Sequence, residues 1–223
     1  MNSEFLVSAK MVDSTHPAVA EFSRRHHGAS DDPRQKAVAL YYAVRDEIVY
    51  DPYRVEISPQ GFSASGCLAR GYGFCVAKAA LFAASARAAG IASRVGYADV
   101  RNHLTSRRLL DMMKTDLFVF HGFTELHLDG RWVKATPAFD ARLCARAGIL
   151  PLEFDGREDS VFHPLDATGR RHMEYVRDRG SFADVPYDEI VRAWRETYPL
   201  HASWSGLPED ADFAAEARAD PAA

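Results

Sequence analysis

The alanine-rich segment from Cys75 to Ala89 is the feature that most constrains the fold of this chain, because it ends at Gly90 and consists mainly of small side chains. Such a composition predicts a helix that can lie close to a sheet. The preceding residues Gly73 and Phe74 place the thiol of Cys75 in the first turn of that helix. Unpaired N–H groups and partial positive charge at a helix N-terminus favour thiolate over thiol, so we predict that Cys75 is a nucleophile.

A predicted β-hairpin downstream carries the base that such a nucleophile needs. The run from His121 to Leu128 has the pattern of a strand, Asp129-Gly130 is typical of a two-residue turn, and the run from Arg131 to Asp140 returns beside it. The cysteine, the histidine and an acceptor for the imidazole therefore follow one another on a helix and two strands.

The length of the turn also predicts the register of the hairpin. Because Leu128 faces Arg131 across a two-residue turn, His121 is expected to lie opposite Ala138. Its diagonal neighbours on the same face of the sheet are two hydrogen-bond acceptors, Thr136 and Asp140.

This order and spacing resemble the transglutaminase-like superfamily, whose core has a cysteine at a helix start, a His-aromatic-x-Glu strand, and a returning strand with tryptophan and then Asp-Pro. The resemblance extends from about Val38 to Asp140. It implies a papain-like α+β fold, in which a helix with the cysteine packs on an antiparallel sheet with the histidine and the aspartate, and it implies thiol acyl-transfer chemistry. The matching positions are Cys75, His121, Glu125, Trp132 and Pro137.

The chain departs from the family pattern at Thr136, which stands where the family usually has aspartate. Two residues therefore compete to orient His121. Asp140 supplies the negative charge that stabilises an imidazolium, whereas Thr136 offers an uncharged hydroxyl. Pro137 counts against Asp140, because a proline removes a ladder donor and ends regular pairing. We predict Asp140 as the third catalytic residue, with Thr136 as the alternative and Glu125 as hydrogen-bonding support.

An oxyanion formed during acyl transfer needs donors, and the backbone N–H of Cys75 is the first one expected. The second donor stays open among three tyrosines: Tyr42, Tyr50 and Tyr72. The predicted substrate cleft involves Tyr72, Asn102, His103 and Trp132, with a helical excursion from Leu104 to Lys114 over it.

Outside the predicted site and its hairpin, apolar periodicity and turn residues predict the remaining helices and strands. We expect helices over residues 18–27, 33–50 and 186–198, a strand over residues 91–100, and short strands at residues 152–156, 161–164 and 173–176. At 223 residues and 47% hydrophobic content, one domain is expected over residues 1–204, with a catalytic core at about 38–140 and an extension at 141–204. Residues 205–223 have the composition of an acidic, disordered tail.

Charge and cysteine usage limit the classes of partner. The formal charge of −4 lies almost entirely in the predicted tail, so the nearly neutral body predicts neither nucleic-acid nor membrane binding. Three cysteines without a closely spaced ligand pair predict neither a metal site nor a disulfide framework, and no cofactor is expected. The sequence has no basic leader followed by an apolar run, which predicts a cytoplasmic protein.

Together these features predict a cysteine-dependent enzyme that forms a thioester with a peptide, protein, small amide or ester. The acyl group then passes to water or an amine, and hydrolysis is the favoured outcome. Two alternatives remain: a noncatalytic binding module on the same scaffold, and an acyltransferase that uses a carrier thioester such as coenzyme A.

Overall fold

The computed structural model describes residues 3–103, 105–162, 169, 172–199 and 212–216. A short 3-10 turn at Ser3–Phe5 precedes the main elements. The helices are α1 (Pro17–His26), α2 (Pro33–Glu47), α3 (Pro59–Phe62), α4 (Ala64–Arg70), α5 (Cys75–Ala88), α6 (Arg107–Met113), α7 (Ala141–Ala147), α8 (Tyr187–Thr197) and α9 (Phe213–Glu216). The strands are β1 (Val49–Tyr50), β2 (Tyr72–Gly73), β3 (Ser93–Asn102), β4 (Leu117–Leu128), β5 (Arg131–Ala135) and β6 (Met173–Phe182). This mixture of helices and an antiparallel sheet is the predicted α+β class.

The main sheet has four antiparallel strands in the order β5-β4-β3-β6. A second, two-stranded sheet forms where β1 pairs with β2 in parallel, with Val49 beside Tyr72 and Tyr50 beside Gly73. Because Gly73 lies two residues before α5, this small sheet holds Tyr50 next to the start of the helix that carries Cys75.

The predicted hairpin register is confirmed over its first five pairs and then ends. Leu128 pairs with Arg131 and Thr124 pairs with Ala135. Beyond Ala135 the chain leaves β4, and the N–H of Thr136 donates to the carbonyl of Ser160 at 2.9 Å. The ladder therefore stops short of the expected pair of His121 and Ala138, since Pro137 has no N–H with which to continue it.

Helix α5 is buried along nearly its whole length and packs directly on β4. A Cβ added at Gly122 of β4 would lie 3.0 Å from Cα of Val76, so any other residue would push the strand and the helix slightly apart. One turn farther along, the hydroxyl of Thr124 donates to the carbonyl of Ala79 at 2.9 Å. The small side chains of α5 thus bring its first turn against the strand that carries His121, as the sequence predicts.

Lys78 is fully buried in α5 and fixes the end of α2. Its Nζ donates to the carbonyls of Arg45 at 3.0 Å and Ile48 at 2.5 Å. Burial lowers the pKa of this ammonium group to about 8. The carbonyls at the end of a helix lack intrahelical partners, so Lys78 joins α2 to α5 by satisfying two of them. Helix α2 consequently ends at Glu47 rather than continuing to residue 50.

Several boundaries differ from the sequence-based prediction. Residues 151–159 form no regular strand, and the segment contributes only a single bridge between Ser160 and Ala135. The predicted strand at 161–164 includes residues outside those described, and its described residues, 161 and 162, are not in a strand. Strand β6 is longer than predicted because two irregularities in its pairing with β3 let it continue past Val176. Helices α3, α4 and α7 were not predicted.

Five residues of the predicted tail, 212–216, pack against the domain. The ring of Phe213 lies 5.7 Å from that of Tyr50 and 5.4 Å from that of Tyr53, measured between centroids. The hydroxyl of Tyr53 donates to Glu216 at 2.6 Å, and Glu216 also pairs with Arg108 of α6 at 3.0 Å. Apolar Phe213 anchors these residues within an otherwise acidic segment, and the rest of the predicted tail, residues 205–211 and 217–223, lies outside the described residues.

Candidate active site

The thiol of Cys75 lies at the first residue of α5, where backbone donors converge on it. The N–H groups of Cys75, Val76 and Gly122 hydrogen-bond to the sulfur and act to lower the pKa of the thiol, but burial outweighs them and raises the pKa to about 11. The expectation of a thiolate at the helix N-terminus therefore does not hold for this conformation: desolvation exceeds the effect of the helix end, and the group is a neutral thiol at pH 7.

The start of α5 differs from those of most other helices in the chain. Phe74 precedes it in an extended conformation and supplies no side-chain hydrogen bond, whereas Asp32, Ser63 and Ser106 cap α2, α4 and α6. The first N–H groups of a helix have no intrahelical acceptor. Those of α5 are consequently available to the sulfur and to a substrate oxygen beside it.

His121 lies in β4 directly before Gly122, the residue that touches the first turn of α5. The preceding residue, Phe120, has a positive φ of 57°, at the point where the pairing of β4 with β3 is irregular. The imidazole is 3% exposed, and burial together with repulsion from nearby His172 lowers its pKa to about 3. At neutral pH the imidazole is therefore uncharged and can accept a proton.

Cys75 and His121 line one small cavity of about 50 Å³, which we call the front cavity. Its walls include residues of β1, α6 and β4, the residue just before α5, and residues in and just after α8. Aromatic and aliphatic side chains dominate them, including Tyr50, Phe74, Leu109, Met113, Trp194 and Tyr198. The structure thus brings the predicted nucleophile and the predicted base to the same solvent-sized space.

A second cavity, which we call the rear cavity, is lined by His121 together with Thr136, Phe139, Cys144, Phe162 and His172, among others. Two of these residues have a buried polar atom without a hydrogen-bond partner among the described residues: Nε2 of His121 and the hydroxyl of Thr136. A buried polar group without a partner is costly. The pair therefore marks a place where a hydrogen bond or a bridging water would be favourable.

Asp140 is placed differently from the prediction, at the N-terminus of α7 rather than on a strand. Its Oδ1 accepts from the N–H of Leu143 at 2.9 Å, and its Oδ2 accepts from the N–H of Tyr50 at 3.2 Å. No hydrogen bond joins it to His121 in the part of the chain that the structure describes. The signals for this helix were present in the sequence, since Asp140 is a typical N-cap and Gly148 follows the last turn with a φ of 67°.

The carboxylate of Glu125 makes its contacts within the sheet, and its support of the catalytic site stays a prediction. Its carboxylate pairs with Arg94 at 2.5 Å and accepts from the hydroxyl of Ser181 at 2.6 Å. The guanidinium of Arg94 lies 4.2 Å from the ring centroid of Trp132. Glu125 and Trp132 thus belong to one cluster that holds β3, β4, β5 and β6 together.

The four residues predicted for the substrate cleft do not line the front cavity. Tyr72 lies against the guanidinium of Arg54, 3.8 Å from the ring centroid, and Trp132 belongs to the sheet cluster. Asn102 is buried at the end of β3, and the exposed His103 pairs with Glu174 at 3.5 Å. The predicted helical excursion is confirmed as α6, whose Leu109 and Met113 do line the cavity.

Among the three tyrosines left open as oxyanion donors, Tyr50 is the one that lines the front cavity. Burial raises the pKa of its hydroxyl well above the usual value, which keeps it a proton donor. The hydroxyl of Tyr42, by contrast, donates to Glu153 at 2.6 Å. The pairing of β1 with β2, which sequence patterns this short do not reveal, is what singles out Tyr50.

Two further properties follow from the described residues. No three His, Cys, Asp or Glu side chains within them are grouped so that they could hold a metal ion. Within the same residues, none of the helices has both the length and the apolar character needed to cross a membrane.

Comparison with known proteins gives a family and a structural likeness. The model of the transglutaminase-like superfamily matches residues 20–137, which is more than half of the chain. A crystal structure of a "Putative Cysteine Protease" from Cytophaga hutchinsonii is similar over 83% of this chain and 48% of its own, at 15% identity and a TM-score of 0.49. This chain therefore spans about half the length of that protein. No curated protein matches the sequence.

Proposed function

Because the chain belongs to the transglutaminase-like superfamily, we propose that it is a cysteine-dependent acyl-transfer enzyme that acts on an amide, peptide or ester and passes the acyl group mainly to water. The single observation that carries the proposal is the meeting of Cys75 and His121 at the front cavity, beside the uncapped N-terminus of α5. An enzyme of this kind needs a nucleophile, a base and donors for the oxyanion within one space.

The reaction starts from an uncharged pair. His121 takes the proton of the Cys75 thiol as sulfur attacks the substrate carbonyl, and a tetrahedral oxyanion forms. Collapse of this intermediate breaks the bond to the leaving amine or alcohol, which receives the proton from the imidazolium, and a thioester remains on Cys75. Water then attacks the thioester with His121 again as base, and the carboxylic acid and the free thiol are released.

The oxyanion requires two donors, for which the N–H of Cys75 and the hydroxyl of Tyr50 are proposed. Both border the front cavity, and an undissociated phenol is a strong hydrogen-bond donor. Tyr50→Phe tests the assignment, because it removes the donor and keeps the ring. The expected result is a fall of about 10- to 100-fold in kcat with little change in KM, since the hydroxyl acts in the transition state.

For the third position the contacts favour Thr136 over the sequence-based choice of Asp140, which stays a prediction. Thr136 and His121 line the same rear cavity, and the Thr136 hydroxyl and Nε2 of His121 both lack a partner among the described residues, so we propose that the hydroxyl positions the imidazole through a water molecule. Both carboxylate oxygens of Asp140 already accept backbone N–H groups. An uncharged partner stabilises imidazolium weakly, in keeping with the low pKa of His121.

The experiment that tests the proposal is mass spectrometry of the intact protein after brief incubation with a mixed set of peptides, amides and activated esters. An acyl adduct on Cys75, lost on further incubation and not formed by Cys75→Ser, is the expected result. A parallel labelling with iodoacetamide should modify Cys75 faster than Cys67 or Cys144, both of which are buried and have pKa values raised to about 12 by burial.

A noncatalytic binding module is the competing function, and the specific observation in its favour is the combination of a raised pKa at Cys75 with a lowered pKa at His121. Such a protein would bind ligand equally well with and without the thiol. Absence of every adduct, together with equally slow iodoacetamide labelling of all three cysteines, would establish this alternative and refute the catalytic proposal.

A further inference from the structure

We propose that the front cavity is an acyl-binding pocket that selects short, uncharged, apolar acyl groups. The inference rests on the proposed function and adds the substrate class. It is carried by the chemistry of the walls next to the Cys75 sulfur, where the acyl group of a thioester must lie.

No charged side chain lines the front cavity among the described residues. Its lining is mainly aromatic and aliphatic, and includes Leu109 and Met113 of α6 together with Phe74 and Trp194. A carboxylate or ammonium group on the acyl chain would lose its hydration here without gaining an ion pair. The pocket should therefore reject charged acyl groups.

The polar atoms of the two largest wall residues are already used by β4. Trp194 donates its Nε1–H to the carbonyl of Val119 at 3.2 Å. The hydroxyl of Tyr198 accepts from the N–H of Val119 at 2.7 Å and donates to the carbonyl of Leu117 at 3.2 Å. These bonds satisfy backbone groups at the irregular part of β4, so the polar atoms of both side chains already have partners without a ligand.

The size of the pocket limits the length of the chain it accepts. A volume of about 50 Å³ is several times what one water molecule requires. Each methylene group that leaves water for such a wall improves binding about fourfold. Binding should thus improve from a two-carbon to a four-carbon acyl group and stop improving when α6 blocks a longer chain.

The test uses 4-nitrophenyl esters of acetate, butyrate, decanoate and succinate, which share one leaving group and differ only in the acyl chain. We expect kcat/KM to be about tenfold higher for butyrate than for acetate, and at least 100-fold higher for butyrate than for succinate or decanoate. Equal kcat/KM values for all four esters, or a preference for succinate, would refute the proposed acyl-binding pocket and would still show an active enzyme. If no ester acylates Cys75, both this inference and the proposed function fail.

A charge introduced into the wall sharpens the test. Met113→Lys should raise the ratio of kcat/KM for succinate over butyrate at least tenfold, because the new ammonium group would pair with the carboxylate. The matched control is Asp111→Lys, an exposed position on the same helix outside the cavity lining, which should leave the ratio unchanged. An unchanged ratio in folded Met113→Lys would contradict the pocket.

A second variant protects the test against a folding defect in Met113→Lys. Leu109→Ala enlarges the cavity without adding charge. With the hexanoate ester added to the series for both proteins, the variant should prefer hexanoate where the wild type prefers butyrate. Thermal melting of each variant separates loss of fold from a change of specificity. A folded Leu109→Ala protein that keeps the wild-type order of esters would also overturn the proposal.

Discussion

Helices α5 and α7 begin in opposite ways, although each has the same need to satisfy its first N–H groups. Helix α7 starts at Asp140, whose carboxylate accepts from the N–H of Leu143. Helix α5 follows Phe74, which supplies no acceptor, and its first N–H groups point to the Cys75 sulfur. The difference separates two kinds of helix N-terminus: the capped one contributes stability, and the uncapped one leaves backbone donors that, in the mechanism we propose, bind an oxyanion.

The largest expected effect comes from removing the sulfur at the uncapped end. Cys75→Ser should lower kcat/KM for 4-nitrophenyl butyrate by at least about 1000-fold, because the neutral imidazole of His121 is too weak a base to activate a hydroxyl comparably. The control is Cys67→Ala, which removes a buried thiol in α4 outside the front cavity and should retain activity. Comparable losses in both variants would mean that the thiols matter only for folding.

The next effect comes from changing the spacing between α5 and β4. Gly122→Ala places a Cβ 3.0 Å from Cα of Val76 and 3.2 Å from the carbonyl oxygen of Cys75, so the strand and the helix must separate. We expect a loss of about 100-fold in kcat/KM, since misplacement of reacting groups by less than 1 Å has large effects, and a loss of about 1–3 kcal/mol in the free energy of unfolding.

Thr124→Val is the matched control for this spacing. It removes the hydrogen bond to Ala79 one turn farther along α5 and keeps the side-chain volume. Its free energy of unfolding should fall by about 1–2 kcal/mol while kcat/KM stays within about threefold of wild type. If Gly122→Ala lost only stability and kept its activity, the close contact would have no part in catalysis.

The capped end gives a smaller effect that decides between the two orienting residues. Asn keeps the cap on the N–H of Leu143 but cannot also accept from the N–H of Tyr50, so Asp140→Asn should lower the free energy of unfolding by about 1 kcal/mol and keep most of the activity. Asp140→Ala loses both bonds and should destabilise the protein by about 2–3 kcal/mol. Thr136→Val removes the hydroxyl beside His121 and should lower kcat about tenfold, the equivalent of one hydrogen bond. The reverse pattern, with Asp140→Asn inactive and Thr136→Val active, would restore the sequence-based choice.

The contrast between the two helix ends also explains which parts of the site were predictable from the sequence. The placement of Cys75, the hairpin register and the position of α6 follow from local patterns: an alanine-rich segment, an Asp-Gly turn and apolar periodicity. The residue types that cap α7, Asp140 and Gly148, are visible in the sequence, but the predicted strand ran on to Asp140 because the end of the ladder was not. The ladder ends at Ala135, where Pro137 cannot continue it and Thr136 bonds instead to Ser160.

The raised pKa of Cys75 was also beyond sequence reasoning. The helix end that favours a thiolate is visible in the sequence, but the burial that outweighs it depends on α6, α8 and β4 closing around the sulfur. The sequence also does not distinguish Tyr50 from Tyr42 and Tyr72 as the second oxyanion donor. The position of Tyr50 depends on the parallel pairing of β1 with β2, which joins two residues to two others more than 20 positions later.

The smallest expected effect on activity is its pH dependence, which depends on the charge states of Cys75, at the uncapped start of α5, and of His121. With the pKa of Cys75 raised to about 11 and that of His121 lowered to about 3, the thiol and the imidazole are both neutral between these values. We therefore expect kcat/KM to change by less than about threefold from pH 6 to pH 9. A bell-shaped profile with a limb in this range would instead indicate a thiolate–imidazolium pair.

Stability should depend on pH even where activity does not. The pKa of His121 is lower in the folded state than the value of about 6.5 in an unfolded chain, so the unfolded state binds a proton first as pH falls, and stability is lost from about pH 6.5 downward. The expected loss is on the order of 2 kcal/mol by pH 5. Urea unfolding at pH 7 and pH 5 measures it, and His121→Gln should remove that part of the difference. The same burial that excludes a proton from His121 also keeps Cys75 neutral. If the stability difference between pH 7 and pH 5 were unchanged in His121→Gln, the imidazole would have to be hydrated in solution. The mechanism that starts from a neutral thiol and a neutral imidazole would then fail.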